Sequence, residues 1–217
     1  MTTNLPTGHT QRVTEFLKKQ TARGRLIFAL DATASRQPMW DASVQLQAQM
    51  FEEAGKIGGL EVQLVYYRGL DECKASHWTT DARELAQQMS RIICVSGQTQ
   101  IGKILAHVRK EHGSQPVSAC VFIGDMCEET SYSLQDAATG LGVPVFVFQE
   151  GEDVLAADVF QNIAKLTNGA YSKFHSGSAR ELAELLRAVA AFATGGLTAL
   201  ADLRTDSARK LLGQMKK

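Results

Sequence analysis

Short, continuously apolar runs alternate along the chain with segments whose apolar residues recur at helical spacing. Residues 26–30 (LIFAL), 62–67 (VQLVYY), 119–123 (ACVFI) and 143–148 (VPVFVF) are rich in Val, Ile, Leu and Phe. Strands buried on both faces have this composition. Residues 170–174 (AYSKF) form a weaker strand candidate, and residues 72–78 are read as an antiparallel edge strand after 62–67. Helical patterns fill the gaps. The clearest spans 42–58, with Val44, Leu46, Met50, Phe51, Ala54 and Ile57 on one face. Further helices are expected at 81–89, 100–112, 131–141, 154–166 and 178–192, and one at 10–19 leads into the first strand. Gly113, Gly142 and Asn168-Gly169 follow helices where a left-handed cap is expected. Ser178 and Glu181 have capping-box spacing.

Strand–helix alternation implies right-handed crossovers and helices on both faces of a sheet. The expected fold is α/β and doubly wound (Rossmann-like), with a mostly parallel six-stranded sheet and one antiparallel edge strand. The expected organisation is a helical extension over 1–24, the α/β domain over 25–193 and a helical tail over 194–217. The tail carries Leu197, Leu200, Leu203, Leu211, Leu212 and Met215 at helical spacings. It either packs on the domain, the simpler reading, or docks on a partner.

Composition narrows the function. Lys+Arg and Asp+Glu both total 23, so the formal net charge is zero. No electrostatic footprint for nucleic acid or an anionic membrane results. Cys73, Cys94, Cys120 and Cys127 show no C-x-x-C spacing and are read as reduced thiols. The N-terminus MTTNLP lacks a basic region followed by an apolar stretch, and no apolar run reaches the ~18 residues of a membrane span. The expected compartment is the cytoplasm.

Ligands of open parallel sheets bind beyond the carboxyl ends of the strands. Asp31-Ala32-Thr33-Ala34-Ser35 follows the first strand, Gly124-Asp125 follows residues 119–123, and Ser96-Gly97-Gln98-Thr99 precedes the helix at 100. These loops offer two carboxylates and several hydroxyls. Hard oxygen donors suit Mg²⁺, with Mn²⁺ or Ca²⁺ as substitutes, and suit zinc or copper poorly.

Asp31-x-Thr33-x-Ser35, then Thr99, then Asp125 after an apolar strand resembles the metal-ion-dependent adhesion site of von Willebrand factor A domains, whose pattern is Asp-x-Ser-x-Ser, a distant Thr and a distant Asp. Residues 166–171 (LTNGAY) are similar to that family's step into its last strand. The resemblance spans roughly residues 25–192. It implies a metal shell of Asp31, Thr33, Ser35, Thr99 and Asp125. It also implies no catalysis, and a partner protein whose Asp or Glu completes the shell. In the wider family, movement of the loop after the fourth strand is coupled to a shift of the last helix, which here is residues 178–192. The chain departs from the pattern at Thr33, at Arg36-Gln37-Pro38 and at Met126.

Blander readings stand beside these. Asp41 is read as a cap or surface residue, and Glu128 and Glu129 as favouring the start of the following helix through its dipole. Trp40 and Met126 either rim a binding face or pack in the core. His77 and Trp78 are structural by default, and Lys18 and Lys19 a solvated face. The rival function is a Mg²⁺-dependent phosphohydrolase of the haloacid dehalogenase type. Asp31 would attack phosphorus, Lys103 would offset phosphate charge and Asp125 would hold the metal. Thr33 then stands where the general acid is needed, which counts against it. No Gly-x-Ser-x-Gly elbow, dinucleotide fingerprint or P-loop is present.

Overall fold

The apolar runs assemble side by side. A computed structural model of the chain describes residues 24–37, 60–175 and 179–215. The expected helices at 10–19 and 42–58, the Ser178 cap, Lys18, Lys19, Trp40 and Asp41 lie outside the described residues.

Strands β1 (Gly24–Asp31), β2 (Leu60–Arg68), β3 (Glu72–Ala75), β4 (Ala119–Gly124), β5 (Val145–Glu150) and β6 (Ala170–Phe174) form one sheet in the order β3-β2-β1-β4-β5-β6. Only β3 runs antiparallel to its neighbour. The edge strand is shorter than expected. Beyond it, Thr79 makes an isolated bridge to Val62. His77 is exposed and pairs with Glu84, while Trp78 donates to Glu111 and lies under the Arg25 guanidinium.

Every residue of β1, β4 and β5 is buried, which is why these strands read as unbroken apolar runs. Alternate residues point to opposite faces. Leu26, Phe28 and Leu30 meet α1 (Ala82–Ser90), α5 (Ala179–Asp202) and α6 (Asp206–Met215) on one side. Ile27 and Ala29 meet α2 (Ile101–Ser114), α3 (Ser131–Ala138) and α4 (Val154–Leu166) on the other. Phe122 anchors the second face, edge-on to Phe160 with ring centroids 5.5 Å apart.

The helix ends correct several expectations. Gly113 lies inside α2, which runs on to Ser114. Asn168 takes the left-handed conformation at φ 55°, not Gly169. Gly169 is instead required by close approach, since a Cβ there would sit 1.9 Å from the Val145 carbonyl oxygen. α3 stops at Ala138, before the positive-φ residues Gly140 and Gly142.

α5 runs well past the expected residue 192 and breaks helical geometry at Gly196 (φ 66°). Residues 180–202 are long and apolar enough to cross a membrane by length and composition. Leu182, Leu185, Leu186 and Val189 on this helix are nevertheless core residues against the sheet. Leu200, Leu211 and Leu212 join the same core, so the tail packs on the domain. Gln214 of α6 reaches the open edge of β6. Its side-chain oxygen accepts from the Tyr171 N–H, and its amide donates to the Tyr171 carbonyl, both at 2.9 Å.

Candidate metal centre

Four of the five expected ligands come from the loops after β1 and before α2. Asp31, the last residue of β1, is wholly buried. Its Oδ1 accepts from the Thr33 N–H at 2.8 Å and its Oδ2 from the Tyr67 hydroxyl at 2.8 Å. The chain then turns through a short 3-10 segment, Ala34–Arg36. That turn brings the Thr33 and Ser35 hydroxyl oxygens to 3.1 Å.

Thr99 reaches the same place from another part of the chain. Residues 95–98 are stitched between the ends of β1 and β2: Val95 N–H donates to Ala32, Gly69 N–H to Val95, and Gln98 N–H to Gly69. The backbones of residues 69 and 97 touch so closely that a Cβ on Gly97 would fall 1.9 Å from the Gly69 oxygen. Thr99 is clipped to the β4–α3 loop by a reciprocal pair. Its N–H donates to the Glu128 carboxylate and its hydroxyl accepts from the Glu128 N–H, each at 3.0 Å.

Thr33, Ser35 and Thr99 thus line one cleft of about 200 Å³, together with Ser96, Gly97, Met126 and Glu128. Asp31 is buried outside the lining and is tied to it through the Thr33 N–H. Asp125 follows β4 and is outside the cleft lining, with its Oδ1 buried and lacking a hydrogen-bond partner among the described residues. Burial raises the Asp31 carboxyl above its usual value. The hydrogen bonds from Thr33 and Tyr67 offset part of this, and the charge of Asp125 adds to it. Burial, then the charge of Asp31, holds Tyr67 protonated as a donor.

The donor set fits a hard cation on two counts. Every convergent group is oxygen, and Asp125 presents a buried acceptor that no described residue satisfies. Carboxylates alone do not suffice: among the described residues, no group of three or more His, Cys, Asp or Glu side chains is placed to hold an ion. The hydroxyls are therefore essential to any such shell.

Glu128 and Glu129 serve the preceding helix rather than the following one. The Glu129 carboxylate accepts from Ile101 N–H at 2.5 Å and Gly102 N–H at 2.8 Å, capping α2. Thr130 caps α3 instead. Met126 is exposed and rims the cleft. Lys103 pairs with Asp71 of the β2–β3 turn. Two residues were not foreseen as partners. Arg36, 1% exposed, forms an ion pair with Glu150 at the end of β5.

No protein-family model matches the sequence, and no curated protein matches it. Solved structures do match in shape. A von Willebrand factor type A protein from Catenulispora acidiphila superposes with a TM-score of 0.61 at 18% identity, over 80% of this chain and 43% of that one. The vWF domain of the type V pili tip protein Mfa5 from Porphyromonas gingivalis gives 0.58 at 11% identity, over 78% of this chain and 94% of that domain. The VWA domain of SpRpn10 gives 0.57 at 11% identity, over 74% and 95%. The chain thus spans under half of the first of these proteins and nearly all of the two isolated domains. At these identities the likeness is one of fold: the chain has the architecture of a von Willebrand factor A domain, with a six-stranded mixed sheet flanked by helices.

Proposed function

We propose that the chain is a non-catalytic protein-interaction domain that binds a partner's Asp or Glu through one Mg²⁺ ion, with Mn²⁺ or Ca²⁺ able to substitute. The observation that carries this reading is the convergence of Thr33, Ser35 and Thr99 on one cleft, with buried Asp31 bonded to the Thr33 N–H and the Asp125 acceptor without a partner among the described residues. Thr33, Ser35, Thr99, Asp31 and Asp125 would hold the ion directly or through water. The ion would supply a positive charge whose open position accepts a carboxylate.

The surroundings suit docking. Leu70, Ile93, Val95 and Met126 are exposed on loops around the carboxyl ends of β1, β2 and β4. Tyr132, Val154 and Leu155 are exposed at the starts of α3 and α4, on the same end of the sheet. Apolar side chains around a charged anchor match the usual anatomy of an interface. The solved relatives in fold include a pilus tip protein and a byssus thread matrix protein, which agrees with an interaction role. Four cysteines outside any disulfide agree with the cytoplasm as the compartment. The phosphohydrolase alternative is less favoured, because Thr33 offers no acid and Lys103 is engaged by Asp71.

Calorimetric titration with Mg²⁺ and Mn²⁺ tests the reading. One site is expected in the wild type and none in Asp31→Ala or Thr99→Ala. A wild-type protein that binds neither cation, or turnover of an aryl phosphate that disappears in Asp31→Asn, refutes it.

A further inference from the structure

β1 and β5 end on acids, and an acid follows the last residue of β4 between them. Leu30 stands beside Ile123 in the β1–β4 pairing and Gly124 beside Gln149 in the β4–β5 pairing. The residues that follow are Asp31, Asp125 and Glu150, all at one end of the sheet. Burial is the main reason the Glu150 carboxyl is raised, and the charges of Asp125 and Asp31 raise it further. Continued by one residue, the β4–β5 register sets Asp125 beside Glu150.

One buried cation answers them. Arg36 carries its guanidinium into the interior and needs a partner there. It takes Glu150, and Glu150 is thereby engaged by the guanidinium. Yet the network is left incomplete. Among the described residues, Arg36 Nε and Asp125 Oδ1 are both buried without hydrogen-bond partners. Asp31, Asp125, Glu150 and the cleft-lining Glu128 outnumber the one guanidinium, an excess of negative charge that a divalent cation would offset in part.

We infer that the Arg36–Glu150 ion pair sets the affinity and selectivity of the divalent site, by withholding a third carboxylate from the ion and cancelling its charge. The inference rests on the metal-binding reading above. With Glu150 engaged, the ion sees two carboxylates and three hydroxyls. That set suits Mg²⁺, which keeps several waters and few carboxylates. A freed Glu150 adds a hard anionic donor that can bind through both oxygens. Ca²⁺ accommodates such a donor more readily than Mg²⁺. A lone Arg36 beside the ion would instead repel it.

The experiment is calorimetric titration with Mg²⁺ and with Ca²⁺ on the wild type, Arg36→Gln, Glu150→Gln and the double variant. Removing one neighbouring charge in a partly buried site is expected to change affinity by about tenfold. Arg36→Gln should tighten Ca²⁺ by about that factor and Mg²⁺ by less, and Glu150→Gln should weaken both about tenfold. The double variant should return close to the wild type. Thermal melting adds a second readout: Arg36→Gln should lose most stability in chelator and regain it when Ca²⁺ is added.

If both single variants and the double variant weaken binding alike, the pair is only a structural tie and the inference fails, while the metal site stands. A wild type that binds no divalent cation removes the metal site and the inference together. Should Arg36→Gln not fold, the comparison of Glu150→Gln with the double variant decides. A double variant that binds more tightly than Glu150→Gln supports the inference, and one that binds equally or more weakly overturns it.

Discussion

The Tyr67 hydroxyl donates to Asp31 Oδ2, and the two residues are register partners across β1 and β2. The acid proposed to sit beneath the ion is thus oriented by a neighbour fixed in the sheet. Tyr67→Phe leaves a buried carboxylate oxygen short of a donor, at an expected cost of about 1–3 kcal/mol. Urea unfolding should show this loss, and Tyr132→Phe, whose ring is exposed, should show none.

Gly97→Ala tests how the Thr99 loop is held. The new methyl would overlap the Gly69 carbonyl, so backbone must move on one side. A loss of about 1–3 kcal/mol is expected in thermal melts. Mg²⁺ affinity should fall as well, because the displaced segment carries Thr99. An unchanged melt and unchanged titration would show the contact to be unimportant.

Glu129→Ala removes an acceptor that serves two N–H groups at the start of α2. Loss of a helix cap typically costs about 1 kcal/mol. Hydrogen exchange should quicken at Ile101 and Gly102 while the amides of α4 keep their protection. Equal exchange at both helices would contradict the capping role.

The acid limb of stability should respond to Glu72. Hydrogen bonding to Arg68, and then to Lys74, lowers its carboxyl from 4.5 to about 2. A depressed carboxyl stabilises the fold above its unfolded value, and that contribution is lost as pH falls from 4.5 towards about 2. Glu72→Gln should therefore flatten the melting temperature over this window. Salt should shrink the wild-type effect, because the pair is at the surface.

Alkylation reports burial of the thiols. Burial is the chief cause that raises Cys127 to about 11. It also raises Cys73, and it raises Cys120 strongly. At pH 8 these three should react with iodoacetamide far more slowly than a free cysteine, as followed by intact mass. Rapid labelling of Cys120 in folded protein would be inconsistent with the core.

The strands were legible because burial on both faces writes itself as unbroken runs such as LIFAL and VFVF. Asp31, Thr33 and Ser35 were legible because their relation is local to one turn. What escaped was long-range. Arg36 looked like an irregularity in a loop, since only the β1-β4-β5 strand order brings it to Glu150, 114 positions away. Glu128 and Glu129 looked like the start of the next helix. Nothing near them in the sequence announces that they reach back to Thr99 and Ile101. Gly113 was read as a stop because glycine usually ends helices, but α2 tolerates it one residue before its end.

The Gln214 amide has a consequence for self-association. By offering one acceptor and one donor to Tyr171, it imitates the hydrogen bonding of an added strand, yet carries no backbone that could extend the sheet. Replacing this glutamine by alanine would leave the Tyr171 N–H and carbonyl without these partners, at the margin where a strand of another molecule would pair.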